Sequence, residues 1–152
     1  MFDSLEIIKE TSHKDASLKL NELITQFIEK NKKFNMGLSG GNTPKFFYQT
    51  FAELNQENSD ITLWTIDDRH VHLEDEISNQ GMINSIFNKT KMNILELQFN
   101  EDPNKSAEDY SKLVFSKIQT FDSAILGVGN DGHIASLFPV SYTHLTLPTI
   151  LL

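Results

Sequence analysis

The chain predicts an α/β fold, a Rossmann-like, mostly parallel sheet with helices on both faces. Three observations predict it. Strand-type and helix-type segments alternate along the chain. Three polar, glycine-rich or charged loops each directly follow a strand-type segment. Finally, 39% apolar residues, with eleven Phe, one Trp and three Tyr in 152 residues, suffice for one packed core.

The elements follow in order. Leu5–Lys9 is expected to form a short edge strand. Asp15–Lys30 carries Leu18, Leu20, Leu23, Ile24, Phe27 and Ile28 at helical spacing. Phe34–Leu38 is a short apolar segment that runs into Ser39-Gly40-Gly41-Asn42-Thr43. Pro44 is expected as the first helical residue, with Thr43 as its N-cap, ahead of Phe46, Phe47, Tyr48, Phe51 and Leu54. Ile61–Ile66 reads as a strand, Asp67–Ile77 as a polar loop, and Ser78–Phe87 as a helix capped by Ser78. Ser106–Ile118 has a periodic apolar face behind an acidic first turn, as a helix should. Ser123–Val128 reads as a buried strand, with Gly129-Asn130-Asp131-Gly132-His133 as the loop after it. No internal repeat, low-complexity tract or interdomain linker interrupts the series.

Composition excludes several classes of function. Thirteen basic residues against 21 acidic ones give a net charge of −8. That balance argues against nucleic acid or an anionic membrane as partner, since phosphate contacts call for a basic face. An anionic ligand would have to be captured by local donors. There is no cysteine, so disulfides, thiolate chemistry and cysteine zinc sites are ruled out. The first residues lack the basic segment and apolar run of a signal peptide, and no run approaches membrane-spanning length. The cytosol is the expected location.

Ligands of open parallel sheets bind outside the carboxyl ends of the strands, so the three loops should meet on one rim. Ser39-Gly40-Gly41-Asn42-Thr43-Pro44 suits an anion cradle: glycines permit close backbone approach, and a helix N-terminus follows. An ordinary capped strand–turn–helix connection would also account for it. It is not a Walker loop, because no Gly-Lys-Ser/Thr follows. Asp67-Asp68-Arg69 places two carboxylates and a guanidinium at a strand end. The Arg suits phosphate, and a neighbouring Asp can accept a proton or orient a base; a solvated charge cluster is the alternative. His70 and His72 lack a third ligand at suggestive spacing, so they are expected to be loop histidines rather than metal ligands.

Gly127-Val128-Gly129-Asn130-Asp131-Gly132 matches Gly-x-Gly-x-x-Gly, but no acidic residue follows Asp131 to hold a ribose. A nicotinamide site is therefore rejected. His133 is the residue of that loop able to act as a base near neutral pH, with Asp131 placed to orient it.

Three stretches resemble the 6-phosphogluconolactonase family. Leu38 through Pro44 is similar to its phosphate loop. Trp64 through Met82 is similar to its strand, Asp-Glu-Arg loop and Ser-Asn-x-Gly-Met segment. Asp122 through Pro139 is similar to its signature, with Leu126-Gly127-Val128-Gly129-Asn130-Asp131-Gly132-His133-Ile134-Ala135-Ser136-Leu137-Phe138-Pro139. The resemblance implies the sugar-phosphate isomerase/lactonase type of sheet and hydrolysis of 6-phosphogluconolactone to 6-phosphogluconate. It implies a small-molecule sugar phosphate as partner and neither metal nor organic cofactor. By the same resemblance His133 activates water with Asp131 supporting it, while Ser39, Gly40, Gly41, Asn42, Thr43 and Arg69 hold the phosphate. Asp67 joins His133 and Asp131 as a candidate catalytic residue. Two departures stand out: Asp68 replaces the Glu of the Asp-Glu-Arg motif, and His72 stands where Pro is usual.

The related glucosamine-6-phosphate deaminases are the nearest rival, but Phe138 stands where their catalytic Glu belongs, and a phenyl ring carries no proton. A non-catalytic sugar-phosphate-binding domain is the third possibility; the Asp131–His133 pair argues against it. Residues 1–139 are expected to form an incomplete lactonase domain that lacks its C-terminal strands. Residues 140–152 are expected to be an off-family tail, because Val140–Thr149 resembles a translated sequencing-library adapter; a native strand packing Leu145, Leu147 and Ile150 is the alternative. The chain alone is accordingly expected to be inactive.

Overall fold

The structure is a computed structural model that describes residues 6–139. Helix α1 (His13–Lys30) leads to strand β1 (Phe34–Leu38), helix α2 (Lys45–Leu54), β2 (Ile61–Thr65), α3 (Asn79–Phe87), β3 (Asn93–Leu95), α4 (Pro103–Lys117) and β4 (Ser123–Ile125). The strands form one parallel sheet in the order β3-β2-β1-β4. The register pairs Met36 with Leu63 on one side and with Ser123 on the other.

Alternation along the strands divides two cores. Phe34, Met36 and Leu38 of β1, with Ile61 and Leu63 of β2, face one way and meet Ile24, Phe47, Phe51, Ile83 and Phe87 of α1, α2 and α3. Trp64 and Leu95 face the other way and meet Tyr110, Val114 and Ile118. The expected α/β sheet with helices on both faces is what forms. Tyr110 ties the second core to the sheet: its hydroxyl takes the Thr65 N–H at 2.7 Å and lies within donating distance of the Thr65 and Leu95 carbonyls. Burial pushes that phenol up to about 12.

Several expectations need correction. Residues 6–9 of the expected Leu5–Lys9 strand have no regular structure, and Leu5 lies outside the described residues, as does 140–152. Helix α1 starts at His13 because Ser12 caps it, its side chain accepting the Asp15 N–H. Its buried stripe is Ser17, Asn21 and Ile24; Leu18 and Phe27 face outward. Asn21 lies buried because its amide donates to the Phe47 carbonyl of α2. Thr43 does not cap α2: Asn42 to Lys45 forms a turn, Pro44 takes the N-cap position, and no side chain caps the helix. Helix α4 begins at Pro103 behind Asp102, and Ser106 instead fixes the preceding loop through Asn100. Strand β3 was not anticipated. Strand β4 ends at Ile125 rather than Val128 and is not buried: among the described residues it pairs with β1 alone, and Leu126 is 49% and Val128 71% exposed.

Candidate active site

Strand β1 lies between β2 and β4: from β1 the chain steps outward to β2 and β3, then crosses back to place β4 on the other side of β1. Such a switch point opens a crevice at the carboxyl ends of the strands. The Ser39 N–H donates to the Ile125 carbonyl across it, and the loops after β1 and β4 stand on either flank. The open cleft there has a volume of about 190 Å³. Of the expected phosphate-binding residues Ser39, Gly40, Gly41, Thr43 and Arg69 line it; of the expected catalytic ones Asp67 and His133 do. Asn42 does not line the cleft, and Asp131 reaches it through His133.

The two glycines of the first loop answer different demands. Gly41 has φ +91, which side chains other than hydrogen adopt at a cost. A Cβ on Gly40 would sit 1.8 Å from the Asn79 side-chain oxygen, so glycine leaves room for Asn79. Ser39 is only 4% exposed, and its hydroxyl has no hydrogen-bond partner among the described residues. Its carbonyl accepts from the Tyr48 hydroxyl at 2.8 Å, which fixes the loop on α2. Burial raises that phenol's pKa, so Tyr48 stays a neutral donor. A buried hydroxyl without a partner is an exception to the usual pairing of buried polar groups. The uncapped N-terminus of α2 adds free N–H groups and a positive dipole end beside it.

The second loop is pinned by its own middle residue. Asp68 accepts the backbone N–H groups of Arg69, Asn79 and Gln80 at 2.8, 2.7 and 2.9 Å, and the Ser78 hydroxyl at 3.2 Å. With Ser78, which accepts the Gly81 N–H, it caps α3. The departure at Asp68 thus has a structural use. The Asp67 carboxylate accepts from Ser136 at 2.8 Å, which links the second loop to the third. Arg69 turns its guanidinium to the Ile77 carbonyl and to Asn79. His70 and His72 both pack against Phe99, at 4.8 and 4.0 Å between ring centroids, and the His70 ring bonds the Asn100 carbonyl. Among the described residues no three His, Asp or Glu side chains gather as a metal ion would require.

In the third loop the His133 Nδ1 lies 2.5 Å from Asp131 Oδ1. Hydrogen bonds from the His133 backbone and ring hold the Asp131 carboxyl below its ordinary 3.8. An ionised carboxylate only accepts, so Nδ1 carries the hydrogen and the neutral ring presents a free lone pair at Nε2. Gly129 leaves room for the ring: a Cβ there would fall 2.3 Å from Nδ1. Phe138 packs on His133, with 4.9 Å between ring centroids. The loop then closes in a tight turn, with Ile134 and Leu137 exchanging both backbone bonds and Ala135 held at φ 52. Ala135 and Asn79 line the cleft without having been anticipated. Asn79 is visible in the sequence as part of a helix start and of the family-like Ser-Asn-x-Gly-Met segment, but neither shows that α3 begins at the rim.

Fold and cleft together define a class: an α/β protein whose parallel sheet carries a glycine-rich loop and an aspartate-bonded histidine at the carboxyl ends of its strands. Comparison with known proteins narrows this. The profile of the glucosamine-6-phosphate isomerases/6-phosphogluconolactonase family matches residues 9–148, and the chain belongs to that family. The 6-phosphogluconolactonase of Thermotoga maritima is 32% identical over 124 residues, covering 79% of this chain and 56% of the relative. That of Borreliella burgdorferi is 32% identical over 121 residues, covering 74% and 52%. A crystal structure of the Thermotoga enzyme superimposes with a TM-score of 0.77 at 29% identity, over 87% of this chain and 62% of that one. The chain thus spans about half the length of the curated relatives it matches. No helix among the described residues is long and apolar enough to cross a membrane.

Proposed function

We propose that this chain supplies the phosphate cradle and the water-activating histidine of a 6-phosphogluconolactonase. The observation that carries the reading is the meeting of Ser39–Gly41, Arg69 and His133 in one cleft. In this reading the 6-phosphate sits on the Ser39–Thr43 loop, the N-terminus of α2 and Arg69, with the unpartnered Ser39 hydroxyl as a donor. His133 Nε2 takes a proton from water as its oxygen bonds to the lactone carbonyl carbon. Asp131 steadies the imidazolium that forms. The ring C–O bond breaks, and the proton returns from His133 to the departing alkoxide, giving 6-phosphogluconate. Asp67 holds the third loop through Ser136 and offers a carboxylate to the sugar hydroxyls. A δ-lactone is an activated ester, so positioning and one base suffice.

The Phe138 ring against His133 favours this reading over deamination, which needs an acid–base carboxylate at that place. Titrating acid release from 6-phosphogluconolactone, with spontaneous hydrolysis subtracted, tests it in the full-length protein that carries these residues. Ammonia release from glucosamine 6-phosphate at a comparable rate would reverse the order.

A further inference from the structure

We propose that Asn79 is a positioning residue that aims the Arg69 guanidinium at the anion while leaving its charge uncompensated. The inference rests on the reading of the cleft as a phosphate site. Asn79 is only 4% exposed, and each of its polar groups has a separate task. The side-chain oxygen accepts from Arg69 Nη1, the side-chain nitrogen donates to the Asp67 carbonyl at 2.8 Å, and the backbone N–H donates to Asp68. The same side chain fills the space beside Gly40, so one amide touches both the phosphate-type loop and the arginine loop.

The choice of an amide has an electrostatic meaning. Arg69 sits next to two aspartates, yet no ion pair among the described residues involves it. The Asp68 oxygens are taken by the start of α3, and Asp67 accepts from Ser136. The guanidinium is oriented by neutral acceptors only, Asn79 and the Ile77 carbonyl. A carboxylate at position 79 would have the same shape, would neutralise Arg69 and would lose the donor to Asp67. In a chain of net charge −8, a cation kept free of carboxylates is what lets an anion bind.

Calorimetric titration of the full-length protein with 6-phosphogluconate tests this. Asn79→Asp should weaken binding about 10- to 100-fold, the range of a lost hydrogen bond to a charged group. In an Arg69→Ala background the same substitution should cost less than tenfold further, because most of its effect passes through Arg69. Unchanged affinity in the first case, or a further tenfold loss in the second, overturns the proposal. Nitrogen-resolved NMR of the free wild-type protein is the readout that survives a variant that fails to fold. Separate Arg69 Nη signals are expected, and a single averaged signal would refute the clamp. Wild-type protein that binds no 6-phosphogluconate would instead sink the phosphate reading, and the NMR result would still decide the clamp by itself.

Discussion

At the scale of single residues, the proposed reading gives His133 the chemistry and its neighbours the shaping of the cleft. His133→Ala should lower turnover about 10²- to 10⁴-fold with little change in 6-phosphogluconate affinity, the ordinary cost of removing a general base. A single-turnover assay beside a product titration would check both halves. The Asp131 carboxyl is held below 3.8 by its bonds from His133. Its folded pKa is depressed, so the favourable interaction is complete above the ordinary value and is lost only as pH falls through the lower one. A carbon-detected NMR titration of Asp131 should therefore show a midpoint under 3.8, and a midpoint at or above it would mean the pair is absent in solution. Gly41→Ala should destabilise by about 1–2 kcal/mol, the cost of left-handed backbone for an L-residue, since nothing crowds that position. Equilibrium unfolding in urea reads that difference directly.

At the scale of elements, the residues that end each strand and begin each helix decide where the cleft lies. Tyr110 shows how tightly the ends are tied. Its phenol rises from an ordinary 10.0 to about 12. A raised folded pKa gives stability that is whole below about 10 and drains away as pH climbs to about 12. Tyr110→Phe should cost about 1–3 kcal/mol at neutral pH, by stranding the Thr65 N–H, and should flatten that alkaline loss. Denaturant melts at neutral pH and across the alkaline range would show both effects or neither. The sequence made the long elements legible: hydrophobic spacing locates α1, α2 and α3, and Ser78 was readable as a cap. It misjudged elements whose limits depend on partners. Strand β3 has three residues and no pattern, and β4 looked buried because its residues are apolar. The glycine loops were legible as a site because glycine, serine and histidine are costly choices after a strand. Asn79 and Ala135 were not, because their part comes from where a helix and a turn return in space.

At the scale of the molecule, strand β4 has one neighbour among the described residues, and Phe121, Leu126, Val128, Leu137 and Phe138 stand exposed along or beyond it. An open edge beside apolar surface invites association. The 152-residue chain should bind a hydrophobic dye and sediment as more than a monomer, and Leu126→Lys should reduce both signals. Dye binding unchanged by that substitution would place the sticky surface elsewhere.

The strand order also fixes a sequence of events in time. The two loops that flank the cleft follow β1 and β4, which pair only when residues as far apart as Asn35 and Asp122, 87 positions along the chain, come together. A ribosome releases β1, α2 and β2 first, and a chain grows at about 5–20 residues per second. The glycine loop, Arg69 and Asn79 can therefore assemble seconds before His133 emerges. Synthesis thus sets the glycine loop in place ahead of the histidine in the life of each molecule.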